Sequence, residues 1–451
     1  MSVLPDGRHF FRGDDGYEAA RCAAVWNGQT PARFPDVIVQ AATAAEVAVA
    51  VRYAKIAGHR VSVRSGGHSW SGNHLRDGGL LIDVSRLDQY QVDKDRMIAV
   101  VGSGARGNVF ATDLVKQGMF FPTGHVKGVG LGGYLLQGGY GWNGRALGPA
   151  CESVLGFDVV TADGEQLYVD ENHHADLYWA ARGSGPGFFA VVTAFHLRVY
   201  PCPGASGSSI QVYPAGYADE LFTWARAVGP EIDRTVEFQL VTTRSVPAVG
   251  LESPGIAVIT PVFADSDDAA MKALSFLDTC PVRDRAVVAA PYAPADLAAL
   301  YEAASTNYPT GHRYATDNMW TSASAEELLP GVHGILDSMP PNPAHFLWMN
   351  WGPTAPRQEM AFSLEDDVYL ALYTVWEDPA DDERYGDWAR SNMAAMADLA
   401  TGIQLGDENL GARPAKFLGD ASLARLDELR QVYDPDGRFY SWMGRPEQVV
   451  R

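Results

Sequence analysis

The stretch at 124–148, GHVKGVGLGGYLLQGGYGWNGRALG, constrains this 451-residue chain more than any other. Each glycine inside a helix costs about 1 kcal/mol relative to alanine, so this density excludes a long helix and predicts backbone that turns sharply or passes close to a neighbour. Within it, Gly128-x-Gly130-x-x-Gly133 matches the dinucleotide fingerprint letter for letter. That fingerprint works only between a strand and a helix. Here FFPTGHVK precedes it with no adequate strand, and Gly138, Gly139 and Gly141 follow where the helix should run. A nicotinamide dehydrogenase built on 128–133, with Glu152 near the ribose-binding offset, is therefore the rival reading and not the leading one.

A second glycine loop, Arg64-Ser65-Gly66-Gly67-His68-Ser69, follows the β-rich run RVSVRS. Two glycines after a strand let successive N–H groups converge on an anion, and serine hydroxyls add donors, so the loop suits a pyrophosphate without a helix. On composition alone a plain turn with an incidental histidine explains it equally well.

Around these loops the chain alternates helix and strand signals. Thr43 and Glu46 form a capping box before AAEVAVAVRYAKIAG, which ends on Gly58. β-rich runs at 60–65, 80–85 and 97–102 precede a helix over 107–116. GFDVVTADGEQLYVD reads as a hairpin turning at Asp163-Gly164, and a helix at 176–181 leads through RGSGPG into the strand FFAVVTAFHLRVY. Pro201 and Pro203 end that strand and divide a first unit, 1–200, from a second, 201–415. The second unit offers the strands TVEFQLVTT, GIAVITPVF, HFLWMNW and VYLALYTVW, with helices on DDAAMKALSFLD and ERYGDWARSNMAAMADLA. Residues 416–451 carry a last helix, SLARLDELRQVY. The fold class is α+β.

Composition narrows the function. Asp+Glu 55 against Lys+Arg 35 gives a net charge of −20. Such a surface repels phosphate backbones, so nucleic acid and anionic membranes are not expected partners. No window approaches 18 uninterrupted apolar residues, and MSVLPDGRHFFRGDDGYEAARC lacks a signal-peptide core, which points to a cytoplasmic enzyme. Cys22, Cys151, Cys202 and Cys280 lie far apart with no C-x-x-C pair; they read as buried thiols, and no metal is expected.

RSGGHSWSG, VGLGGYLLQGGYG, LYWAARGSGPGFFAVVTAFHLRVYP and the terminal YDPDGRF together resemble the berberine-bridge-enzyme-like branch of the FAD-linked oxidases, within the vanillyl-alcohol-oxidase and p-cresol-methylhydroxylase (PCMH) type superfamily. The resemblance is strong over 1–200, moderate over the last helix, and rests on element order between them. It implies a PCMH-type FAD-binding domain over 1–200, an antiparallel-sheet substrate domain with flanking helices over 201–415, and a 416–451 segment returning to the first. It implies that residues 64–69 hold the FAD pyrophosphate and that His68 is bonded to the flavin. Val126 stands where many members carry a second, cysteinyl attachment, so a single histidyl link is expected. Tyr134 replaces a common histidine after the paired glycines and is a candidate at the site. Gly124, Gly130, Gly133, Gly138, Gly139, Tyr140, Gly141 and Val192 are implied to lie against the cofactor. Val129 holds the position where valine accompanies oxidases and leucine accompanies relatives slow with O2.

The family's Tyr-x-Asn-Tyr segment is absent; Ala412-Arg413-Pro414-Ala415-Lys416-Phe417 stands there instead, which leaves the catalytic base open. Tyr369 and Tyr373, four apart on one strand, share a face and are candidates for it, with ordinary packing as the alternative. Trp348 and Asn350 on HFLWMNW, and His312 at a loop-to-strand junction, are candidate substrate contacts. Glu365-Asp366-Asp367 reads as a solvated turn and His173-His174 as exposed. The expected reaction moves a hydride from a small alcohol, amine or activated C–H substrate to FAD, with O2 as acceptor and H2O2 as product. A dehydrogenase with another acceptor and a non-enzymatic flavin carrier are the alternatives.

Overall fold

The computed structural model describes residues 4–353 and 357–445; the ends of the 1–200 and 416–451 segments, 1–3 and 446–451, lie outside it. Two main sheets build the first unit, and Met119–Phe120 pairs with Tyr200–Pro201 in a two-stranded ribbon beside them. In one, Leu80–Asp83 lies between Val37–Gln40 and Val61–Arg64, parallel to both, and His9–Phe11 adds an antiparallel edge. In the other, Tyr90–Asp93, Ile98–Gly102, Val191–Arg198, Val154–Val160 and Gln166–Val169 are antiparallel in that order. The helix Ala44–Ala57 starts where the capping box places it: Thr43 accepts from the Glu46 amide, and Gly58 closes it at φ 73°. Its buried stripe, Val47, Ala48, Ala50, Val51 and Ala54, joins a core shared by both sheets.

The glycine-dense segment holds two short helices, Leu131–Leu136, which stops before Gly138, and the four-residue Gly144–Leu147. The last strand before it is the two-residue Met119–Phe120. The dinucleotide fingerprint therefore sits in no strand–helix unit.

A seven-stranded antiparallel sheet forms the second unit, in the order Val288–Pro294, Ala205–Pro214, Gly255–Ala264, Phe238–Thr243, His345–Asn350, Val368–Trp376, Arg313–Thr321. Helices Ala218–Val228, Asp267–Ala273 and Ala325–Ser338 cover one face, burying Phe222, Leu240, Val258, Leu328, Phe346 and Trp348 beneath them. The other face looks toward the glycine loops. The chain then returns to the first unit. The Val61 amide donates to the Arg438 carbonyl, the Tyr440 amide to the Val61 carbonyl, and the helix Asp420–Tyr433 pairs Arg425 with Asp176.

Three local expectations are corrected. Cys22 is exposed and Cys202 half-buried, whereas Cys151 and Cys280 are buried. Glu365 is no solvated turn residue: it accepts from Trp351 Nε1 at 2.7 Å and from Arg357 Nε at 2.6 Å. The helix expected through 383–400 breaks at Gly386 into Asp382–Tyr385 and Trp388–Ala395.

Candidate active site

Between the glycine loops and the open sheet face lies a cavity of about 920 Å³. Its first wall is built by the strand Val61–Arg64 running straight into 65–69. Gly66 and Gly130 are the points where the two glycine loops meet. A Cβ on Gly130 would stand 2.4 Å from the Gly66 nitrogen, so any side chain at either position would force the loops apart. The polar side chains of the first loop brace it internally. Arg64 Nη1 donates to Asp83 at 2.9 Å and its Nε to the Ala24 carbonyl, while Ser65 Oγ donates to the Ser103 carbonyl at 2.6 Å. The backbone N–H groups of Gly66 to Ser69 meet no protein acceptor among the described residues. Held donors converging at a chain turn suit an anion.

His68 projects from this loop. Its Nε2 is buried without a hydrogen-bond partner among the described residues. Burial, with Arg106 and Arg64 nearby, pushes its pKa down to about 3, so the imidazole is neutral with an available lone pair. Trp26 stacks on the ring at 4.6 Å and is itself stacked on Tyr314 at 4.6 Å, which fixes the imidazole plane.

The sheet contributes the second wall. Tyr369 and Tyr373 both face the cavity, and both hydroxyls donate to Asp407 Oδ2, at 2.5 and 2.6 Å. Trp70 Nε1 donates to Asp407 Oδ1 at 2.7 Å. Next to them Tyr308 Oη donates to His345 Nε2 at 3.1 Å, and His345 Nδ1–H donates to the Pro343 carbonyl. Burial, reinforced by the Asp407 charge, raises both tyrosines well above the ordinary phenol range. Burial alone pushes His345 down to about 4. Asp407 reaches this cluster because its segment is pinned to the first loop: Glu408 beside it accepts from Ser71 Oγ at 2.6 Å and Asn73 Nδ2 at 3.1 Å.

Several sequence candidates fall elsewhere. Trp348 and Asn350 occupy the opposite face of their strand, where Trp348 Nε1 donates to Asn350 Oδ1, Asn350 Nδ2 donates to the Ala225 carbonyl, and the Trp348 ring packs 5.2 Å from Phe222. Alternation put them on one face, but it is the helix-covered face; Leu347 and Met349 line the cavity instead. His312 lies outside the cavity, 2.8 Å from Glu377. Gly138 and Gly141 also miss it. Their lack of a side chain serves packing, since a Cβ would stand 2.8 Å from the Phe362 ring or 2.1 Å from the Thr123 carbonyl. Tyr134 lines the cavity, and its hydroxyl donates to the Pro122 carbonyl at 2.7 Å. Gly67, Ser69, Gly124, Val126, Val129, Gly133, Gly139, Tyr140 and Val192 border the cavity. Trp26, Trp70, Tyr308, His345 and Asp407 are the residues sequence reasoning missed. Only Trp70 had a signal, two positions after His68 in RSGGHSWSG.

Residues 35–170 match a family profile described as an FAD binding domain. An FAD-linked oxidoreductase of Hypoxylon pulicicidum is 31% identical over 428 residues, covering 94% of this chain and 93% of that protein. The chain belongs to the FAD-linked oxidoreductases. The crystal structure of 6-hydroxy-D-nicotine oxidase from Arthrobacter nicotinovorans superposes on this oxidoreductase with a TM-score of 0.84 at 23% identity, covering 99% of each chain. BBE-like 1 of Physcomitrella patens gives 0.81 at 19%, covering 98% and 97%. These two share the berberine-bridge-enzyme-like, two-domain fold. FAD is the cofactor of the family, and the site fits it: the free N–H groups of 66–69, the unpartnered Nε2 of His68, and Gly133, which has open space where a side chain would stand, all border one cavity. Among the described residues no helix is long and apolar enough to cross a membrane, and no cluster of metal ligands occurs.

Proposed function

We propose that this FAD-linked oxidoreductase is an oxidase with FAD bonded through His68 alone, acting on a small organic alcohol, amine or activated C–H substrate with O2 as second substrate and H2O2 as product. One observation carries the reading: a neutral His68 faces the same cavity as an Asp407–Tyr369–Tyr373 hydrogen-bond cluster on the opposite wall. FAD, when bound, supplies the hydride acceptor and the path of electrons to O2. The N–H groups of 66–69 would hold its pyrophosphate, and Val126 leaves no thiol for a second link.

The chain supplies orientation and proton transfer. A substrate O–H or N–H set against the hydroxyl of Tyr369 or Tyr373 loses its proton along a hydrogen bond that already ends on Asp407 Oδ2. The tyrosines relay and Asp407 receives, because phenols raised this far are poor bases on their own. Trp70 and the sheet wall exclude water from that path. Val129, half-buried at the cavity edge, supports the choice of O2, since a valine there leaves volume that one further methylene would fill.

The attachment is tested on acid-denatured protein. Flavin fluorescence should stay with the polypeptide on a gel, peptide mass should place one flavin on the fragment containing His68, and His68→Ala should release all of it. Flavin recovered wholly in the supernatant from the unaltered protein would overturn the covalent link.

A further inference from the structure

The open face of the seven-stranded sheet is apolar where such a face is ordinarily polar. The strand register aligns Val212, Ala257, Val241 and Leu347 in one row, with Ile210 opposite Ile259 in the next, and all six line the cavity. Ile210, 40% exposed, presents its side chain to this cavity. Helix Leu297–Ser305 closes the far side with Leu300, Ala303 and Ala304.

The polar side chains on this face are already engaged. Gln239 Nε2 donates to Glu237, Thr243 Oγ1 to the Ser245 carbonyl, and Ser208 Oγ to the Ser209 carbonyl. None of the residues that these strands present to the cavity is an aspartate, glutamate, lysine or arginine. Hydrogen-bonding capacity is concentrated instead at one end, in the Tyr369–Tyr373–Asp407 cluster. From that strand to Ala205–Pro214 there are four strand spacings, about 19 Å.

We infer that the substrate is an elongated, uncharged, apolar molecule with a single hydrogen-bonding end, which carries the reacting C–H, and an apolar body lying across the sheet away from the tyrosines. The inference deepens the oxidoreductase reading and rests on it. A polyhydroxylated substrate such as a sugar is disfavoured, because most of its hydroxyls would be stripped of water against valine, alanine, leucine and isoleucine side chains that offer no hydrogen bond.

Binding of 1-alkanols from butanol to decanol to the purified holoprotein tests this. It is followed by perturbation of the flavin visible band and, independently, by tryptophan fluorescence, with cellobiose as the polar control. Affinity should rise about two- to fourfold for each added methylene, and cellobiose should not compete. Val241→Asp should flatten this dependence while flavin content stays at the wild-type level. The isosteric Val241→Thr should flatten it in part, which keeps the test alive if the aspartate variant fails to fold. Affinity independent of chain length, or cellobiose binding more tightly than decanol, overturns the inference. A colourless protein whose fluorescence still shows the chain-length dependence would refute the flavin reading alone; a yellow protein without that dependence would refute this inference alone.

Discussion

Replacing Asp407 with asparagine removes one charge and almost no volume. In the wild-type protein Oδ2 accepts both phenols and Oδ1 accepts the Trp70 indole. Asparagine keeps one carbonyl oxygen and turns the other position into an NH2 donor. If the oxygen stays with Trp70, both phenols face a donor; if it turns to the phenols, Trp70 does. Either way the proton path loses its terminal acceptor. The expected cost is that of a general base, about 10²- to 10⁴-fold in the rate of flavin reduction, or roughly 3–5 kcal/mol of barrier. Anaerobic stopped-flow mixing with substrate, following bleaching of the flavin band, isolates this step from the reaction with O2. The pH dependence supplies a second signature. The Asp407 charge helps to raise the two tyrosines, so its removal lowers them toward the ordinary phenol range. The residual rate of Asp407→Asn should therefore climb as alkaline pH begins to form a tyrosinate, whereas the wild-type rate stays flat there. Reduction within about threefold of wild type, without that climb, would refute the assignment of Asp407 as proton acceptor.

Val129→Leu should slow re-oxidation of the reduced protein in air markedly and leave its reduction by substrate nearly unchanged; stopped-flow mixing with oxygenated buffer measures both, and unaltered re-oxidation would remove Val129 from the oxygen path. Trp348→Ala should destabilise the fold by about 3–5 kcal/mol, read from denaturant midpoints, because Trp348 is fully buried under the helices; a loss under about 1 kcal/mol would contradict that placement. Burial holds His345 near 4 and His74 near 3, so the unfolded chain takes up protons that the folded one refuses. Stability should be full above about pH 6.5 and fall as pH drops toward 4, on the order of 3 kcal/mol for His345; unchanged denaturant midpoints between neutral and mildly acidic pH would refute it.

Local chemistry determined much of this protein in advance. The capping box at Thr43, the glycine stop at Gly58 and the turn at Asp163-Gly164 depend on residues a few positions apart, and the helix and hairpin formed where those residues stand. The loop 64–69 was legible in part for the same reason: a strand followed by two glycines marks a tight turn, while its composition fitted a plain turn with an incidental histidine equally well. Tertiary structure decided what each face and each carboxylate does. Alternation placed Trp348 with Asn350, and Tyr369 with Tyr373, but only the helices packed on one side of the sheet settled that the first pair is core and the second borders the cavity. Asp407 carries no periodicity and no motif. It joins Tyr369, 38 positions away, and Trp70, 337 positions away, because Glu408 beside it anchors the segment to Ser71 and Asn73. A hydrogen bond leaves a trace in sequence only when its partners are close along the chain, and every bond that Asp407 makes to the cluster crosses between elements that only the folded chain brings together.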